Sequence, residues 1–280
     1  MIGIGPFARL AVATGVGAAA LVLGVLHSPD APQPTGGIPG TWRLVLDDDF
    51  AQQQRLDPAH WSIGWFGDRV TGPVDVHEDD CYSPTQVSFT AAGLNLTAVR
   101  EPSTCSGKTQ PYTSGIVTSN GRFAFAPSAD RPVFVEARIY LPAAPDGQIA
   151  DWPQFWADGQ HWPQDGELDV LEGLGGQACY HFHHTTTPDA PGGCAGRLTG
   201  WHTFAAQWTP NRATYYYDGV EVGSITGGIT DKPLYLIIDN AVYPGYGGPD
   251  QAPDTMVVQY VRVWKTSAGS AEPAAVPPRV

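Results

Sequence analysis

Glu167-Leu168-Asp169-Val170-Leu171-Glu172 sets three acids among three apolar residues. In a β-strand, residues i and i+2 share a face. Glu167 and Asp169 then point one way, and Leu168 and Val170 point the other. Strict alternation would turn Glu172 away from Glu167. A β-bulge, one extra residue within the segment, would return Glu172 to the side of the other acids, and bulges concentrate beside functional sites. The segment is therefore read as a bulged strand with three carboxyls in a row. Like charges this close cannot all ionise cheaply, so at least one carboxyl is expected to hold its proton to higher pH than usual. One carboxylate poised to attack and one carboxylic acid poised to donate is what retaining cleavage of a glycosidic bond requires, the pair standing about 5–5.5 Å apart.

A solvated acidic edge strand would carry the same residues. The flanks argue for the chemical reading. Phe155, Trp156 and Trp162 lie just upstream, and Trp162-Pro163-Gln164-Asp165-Gly166 leads directly into the strand. Aromatic rings beside paired carboxylates have the composition of a sugar-binding cleft. Further out, short runs rich in Val, Ile, Tyr, Phe and Thr recur between Gly, Pro, Asp and Asn. Strands are predicted at 86–89, 94–99, 115–125, 133–141, 167–171, 203–208, 213–217, 234–238 and 257–264. Asp218-Gly219 after Tyr217 suits a two-residue hairpin turn. No long helical periodicity appears beyond the N-terminal segment. The fold class is therefore all-β, a sandwich or barrel of antiparallel strands.

The 280 residues carry a net charge of −13, which argues against nucleic acid as a partner. Nine Trp and eleven Tyr, with only 15% charged residues, fit an exported protein acting on a neutral ligand. Arg9 precedes an uncharged apolar run over residues 10–26, read as a secretory signal or a membrane tether. The expected organisation is a signal or anchor over 1–27, a Pro/Gly-rich linker over 28–40, one catalytic domain over 41–266 and a disordered tail over 267–280. Cys81, Cys105, Cys179 and Cys194 form an even set, as disulfides in an exported chain would. Three pairings exist, and the sequence-local one, Cys81–Cys105 with Cys179–Cys194, is expected. No Cys-x-x-Cys or His-x₃-His spacing supports zinc, and no metal is predicted.

The chain resembles glycoside hydrolase family 16, the laminarinase-like group. The family's Glu-apolar-Asp-apolar-apolar-Glu motif is met by Glu167 to Glu172, and its Trp-Pro-x-x-Gly lead-in by Trp162 to Gly166. Leu56-Asp57-Pro58 with Trp61, Thr113-Ser114-Gly115 to Phe123, Val135 to Arg138, Trp208-Thr209-Pro210 and Tyr260 to Trp264 resemble the family's other strands. The resemblance implies a β-jelly-roll of two antiparallel sheets with a concave cleft. It implies Glu167 as nucleophile, Glu172 as acid/base and Asp169 as electrostatic support. It further implies that Trp162, Trp156, His183, Glu78, Arg100 and Asn240 bind substrate, although either Asp239 or Asn240 can supply the position in that strand. Many members hold calcium through an Asp just before the Tyr-Val-Arg-Val strand. That position here is Gln259, and no cofactor is expected.

The function implied is endo-hydrolysis of a β-linked polysaccharide, foremost a β-1,3-glucan, by a secreted or membrane-anchored monomer. Another polysaccharide of galactan type, transglycosylation, and non-catalytic carbohydrate binding are the alternatives. Three costly carboxyls have no use in a pure binder. The segment Gly64–Tyr82, with Trp65, Phe66 and Arg69, is expected to form one cleft wall.

Overall fold

Val133, Val135, Ala137, Ile139 and Leu141 alternate along one strand, and all are buried. This period-two pattern repeats along the chain and builds two antiparallel sheets. A computed structural model describes residues 31–65, 67, 69–184 and 191–266. The predicted signal or anchor over 1–27, the tail over 267–280 and Phe66 lie outside the described residues. Among the described residues, no helix is long and apolar enough to cross a membrane.

The strands of the two main sheets, in chain order, are β1 Trp42–Asp49, β2 Ser62–Ile63, β3 Val87–Thr90, β4 Gly93–Ala98, β5 Ile116–Thr118, β6 Val133–Leu141, β7 Trp152–Gly159, β8 Glu167–Glu172, β9 Cys179–His183, β10 Gly192–Cys194, β11 Gly200–Thr209, β12 Arg212–Tyr217, β13 Val220–Thr226, β14 Leu234–Ala241 and β15 Asp254–Thr266. One sheet runs β13-β12-β11-β6-β15-β4-β3, with β1 also paired to β15. The other runs β10-β9-β8-β7-β14-β5-β2. Non-sequential neighbours and antiparallel pairing in both sheets make the jelly-roll sandwich that the sequence predicts.

A continuous apolar core joins the two sheets. Val135, Ile139, Val261 and Val263 come from the first, and Phe155, Leu168, Leu171, Leu236 and Ile238 from the second. The predicted run 115–125 is strand only over Ile116–Thr118, because Ser119–Gly121 turns the chain and the Ser119 carbonyl accepts from Arg122 and Phe123. The Asp218-Gly219 hairpin forms as expected. Both residues take the left-handed conformation (φ 49° and 74°), and Tyr217 pairs with Val220 directly across the turn.

The stretch expected as a linker over 28–40 differs from that reading from Pro32 onward. The Pro32 carbonyl accepts from Trp264 Nε1 at 2.8 Å, and Thr35 donates to Glu136 through its backbone N and its hydroxyl. Ile38 packs with Trp42, Phe134 and Trp264 on the outer face of the first sheet. Those rings would otherwise stand in water, so burying them recruits the Pro-rich segment. Disulfides join Cys81 to Cys105 and Cys179 to Cys194, the sequence-local pairing.

Candidate active site

β8 departs from ideal pairing on both edges. Against β7, Asp169 faces Trp156 and Leu171 faces Phe155, so Val170 has no partner. Against β9, Asp169 faces His181 and Glu172 faces Cys179, again one residue longer on β8. This is the anticipated bulge. Val170 and Leu171 both enter the core, and Glu172 emerges on the same side as Glu167 and Asp169.

That side forms a cleft of about 870 Å³ on the outer face of the second sheet. On β7, Gln154, Trp156 and Asp158 share the face and stand opposite Glu172, Asp169 and Glu167 in turn. Trp162 and His183 close in at the Glu167 end, and Trp152, Tyr243 and Tyr246 line the other. Trp65 stacks on Trp156 with ring centroids 6.0 Å apart, and residues 74–78 complete that wall, within the segment expected to form it.

The charged groups meet closely. Glu167, Asp169 and His183 offer polar atoms all within 4.8 Å of one another, and so do Asp169, Glu172 and His181. Trp162, whose ring is largely exposed, donates its indole N–H to Glu167 Oε2. His183 Nε2 lies 3.3 Å from Asp169 Oδ2 and 3.9 Å from Glu167 Oε1. His181 Nδ1 lies 2.5 Å from Glu172 Oε2.

Burial, then the Asp169 charge, pushes Glu167 well above the ordinary carboxyl range, while His183 pulls it back. Burial and Glu172 push Asp169 up likewise. Asp169 is the more enclosed of the two and is hydrogen-bonded to Glu167. The hydrogen bond from Glu167 pulls Asp169 back down, and a proton shared between the two carboxyls relieves the repulsion of neighbouring like charges. Asp158 is pushed up to about 6, mainly by burial, and accepts from Gly159 N and Tyr235 OH.

Two expected substrate contacts stand elsewhere. Asn240 points to the opposite face of β14, where Nδ2 donates to Asp254 Oδ1 at 2.9 Å. Its neighbour Asp239 has the cleft-side position, opposite Gln154, and is enclosed beneath the floor. Asp239 accepts from Trp156 Nε1 at 2.8 Å, Gln154 Nε2 at 3.0 Å and Tyr82 OH at 3.1 Å, and burial pushes it up to about 7. Arg100 is drawn away from the cleft by Asp250, Tyr112 and the Ala252 carbonyl, to which its guanidinium donates. Glu78 does line the cleft, but it is almost fully buried and accepts from Val74 N. Gln259, at the expected calcium position, accepts from Arg138.

The sequence reading missed Gln154, Asp158 and His181. The signal was available in part: β7 has the alternation Gln154, Trp156, Asp158, and His181 lies two residues before His183.

Known proteins resemble this chain in sequence and in fold. The model for the XgeA-like catalytic domain of glycoside hydrolase family 16 matches residues 139–197. Over 36 residues the chain is 44% identical to a probable endo-1,3(4)-beta-glucanase of Aspergillus niger, a stretch covering 13% of this chain and 5% of that protein. The chain thus spans a small part of the length of the curated relatives it matches. Among solved structures, an endo-beta-1,3-glucanase from Pyrococcus furiosus shares 26% identity at a TM-score of 0.68, covering 81% of this chain and 96% of that one. An endo-1,3-beta-glucanase from Streptomyces sioyaensis shares 26% identity at a TM-score of 0.67, covering 85% and 99%. The family match falls on the bulged acidic strand, and the likeness of fold extends over the sandwich around it.

Proposed function

We propose that this chain is a retaining endo-glycoside hydrolase acting on a β-linked polysaccharide, with β-1,3-glucan as its substrate. The observation that carries the reading is the bulge at Val170, which sets Glu167, Asp169 and Glu172 on one face of an aromatic cleft. The glucanases of similar fold support the choice of sugar.

In the first step a Glu167 oxygen attacks the anomeric carbon. The bond from that carbon to the leaving sugar oxygen breaks, and that oxygen takes the proton of the Glu172 carboxyl. In the second step water attacks the same carbon, gives a proton to the Glu172 carboxylate, and the bond to Glu167 breaks. The Trp162 N–H and the nearby His183 favour Glu167 as the attacking carboxylate. Trp162 both binds Glu167 and offers an exposed ring to the adjoining sugar. The two disulfides support an extracellular setting, where such a polymer is found.

The test is reducing-end release from laminarin, lichenan, agarose and carrageenan. Laminarin cleavage is expected. Glu167→Gln should abolish it, and Glu172→Ala should lose most activity and recover part of it with azide as a glycosyl azide. Wild-type turnover in either variant would overturn the assignment of roles. Release from agarose or carrageenan alone would move the substrate to a galactan. Binding without release from any of the four would leave only a carbohydrate-binding sandwich.

A further inference from the structure

The bulge does more than turn Glu172 toward the cleft. Because β8 gains a residue against β9 as well as β7, Glu172 is opposite Cys179 and its carboxyl leans back to the preceding cleft-side residue of β9. That residue is His181, whose Nδ1 meets Glu172 Oε2 at 2.5 Å. The imidazole is held from several sides. Its backbone carbonyl accepts from Tyr215 OH at 2.6 Å, and Tyr215 is itself stacked on Tyr180 with centroids 4.4 Å apart. Across the β9–β10 pair stands Gly192, where a Cβ would lie 2.0 Å from His181 Cδ2. Only a glycine leaves the ring that space. The Cys179–Cys194 disulfide fastens β10 to β9 two residues away.

We infer that His181 is a positioning residue for the acid/base, aiming the transferable proton of Glu172 at the leaving oxygen. This rests on the proposed function above. The Nδ1–H tautomer donates to Oε2, so Oε2 is occupied as an acceptor and the proton that Glu172 delivers sits on Oε1, which is turned away from the imidazole. Without that donor, the carboxyl rotates freely between two equivalent oxygens, and its proton points at the sugar only part of the time. His183, two residues on, serves the Asp169 and Glu167 end, so each histidine of β9 attends a different carboxylate.

A purely structural role for His181 predicts something different. General acid assistance matters when the leaving group is a sugar alkoxide and matters little when it is a dinitrophenolate, which departs without a proton. The experiment compares kcat/KM of the full chain and of His181→Leu and His181→Asn on laminarin and on 2,4-dinitrophenyl β-laminaribioside. His181→Leu should lose about 10- to 100-fold on laminarin, part of the full worth of general acid catalysis, and under about threefold on the aryl glycoside. His181→Asn, whose Nδ2 takes the place of Nδ1, should recover much of the laminarin loss. Parallel losses on both substrates, no loss on either, or an Asn variant as poor as Leu would overturn the role of His181. A wild-type chain inert on both substrates would instead overturn the reading of function itself.

Discussion

Val170 and Leu171 are consecutive in sequence, yet both side chains enter the core between the sheets. A regular strand cannot do this, and the unpaired Val170 opposite the Phe155–Trp156 step is what allows it. Deleting Val170 would leave Glu167, Leu168, Asp169, Leu171 and Glu172 in strict alternation, with the three acids still on the cleft face. The deletion should therefore keep general acid catalysis and lower kcat/KM on laminarin by less than about 10²-fold. A loss as large as that of Glu172→Ala, with azide rescue, would show that the extra residue itself, and not the alternation alone, places the acid.

Trp162 contributes a donor to Glu167 and a ring to the cleft, and the two contributions can be separated. Trp162→Phe keeps a ring but loses the N–H. A hydrogen bond to a charged group is worth about 1.5–3 kcal/mol, so kcat should fall by roughly 10- to 100-fold with KM nearly unchanged. Trp162→Ala should raise KM as well. A Phe variant in which only KM changes would assign Trp162 to sugar binding alone.

Much of this site was legible before any coordinates. The acidic motif forced a choice between an edge strand and a bulge, and the aromatics around it decided for the bulge. The cleft wall at residues 64–82 and the local disulfide pairing could be anticipated in the same way. What escaped was set by tertiary pairing. Trp152–Gly159 mixes Trp, Pro, Gln and Asp with Phe and Ala and shows no simple alternation of apolar and polar residues, because both of its faces are covered. Its partners in the sheet, not its own composition, bring Gln154 and Asp158 to the site. Asp239 and Asn240 differ by one position, and only the register against Gln154 tells which faces the cleft. Arg100 matched a family position, but Asp250, a residue 150 positions away in sequence, claims its guanidinium. Pro32 to Ile38 read as a linker because nothing local reveals that Phe134 and Trp264, on the outer face of the first sheet, need covering.

The Cys179–Cys194 bridge closes a loop with a sequence separation of 15 and pins the short edge strand β10. A loop of that length is worth about 3 kcal/mol by its effect on the unfolded chain. Replacing both cysteines by serine should lower Tm by roughly 6–12 °C for a domain of this size. Calorimetry with and without reductant checks this. A double variant that melts with the wild type would mean that β10 pairing alone holds the segment.

The carboxyls of buried Asp151 and half-buried Asp254 share a hydrogen bond, which requires that one of them stay protonated. Burial first, and then the Asp254 charge, pushes Asp151 up to about 9, against an unfolded value of about 3.9. A group whose folded value is raised stabilises the fold most fully below its unfolded value, and that contribution is lost as pH rises toward the folded one. The pair should therefore cost stability progressively between about pH 4 and pH 9. Asp151 also sits in the left-handed backbone region (φ 51°), which Asn tolerates well. In Asp151→Asn the amide takes over the donor role toward Asp254 without having to hold a proton. Urea unfolding should show the variant gaining on the wild type as pH rises from 5 to 8, by up to about 4 kcal/mol. Equal pH slopes for the two proteins would mean that the shared proton is not what ties this pair to the stability of the fold.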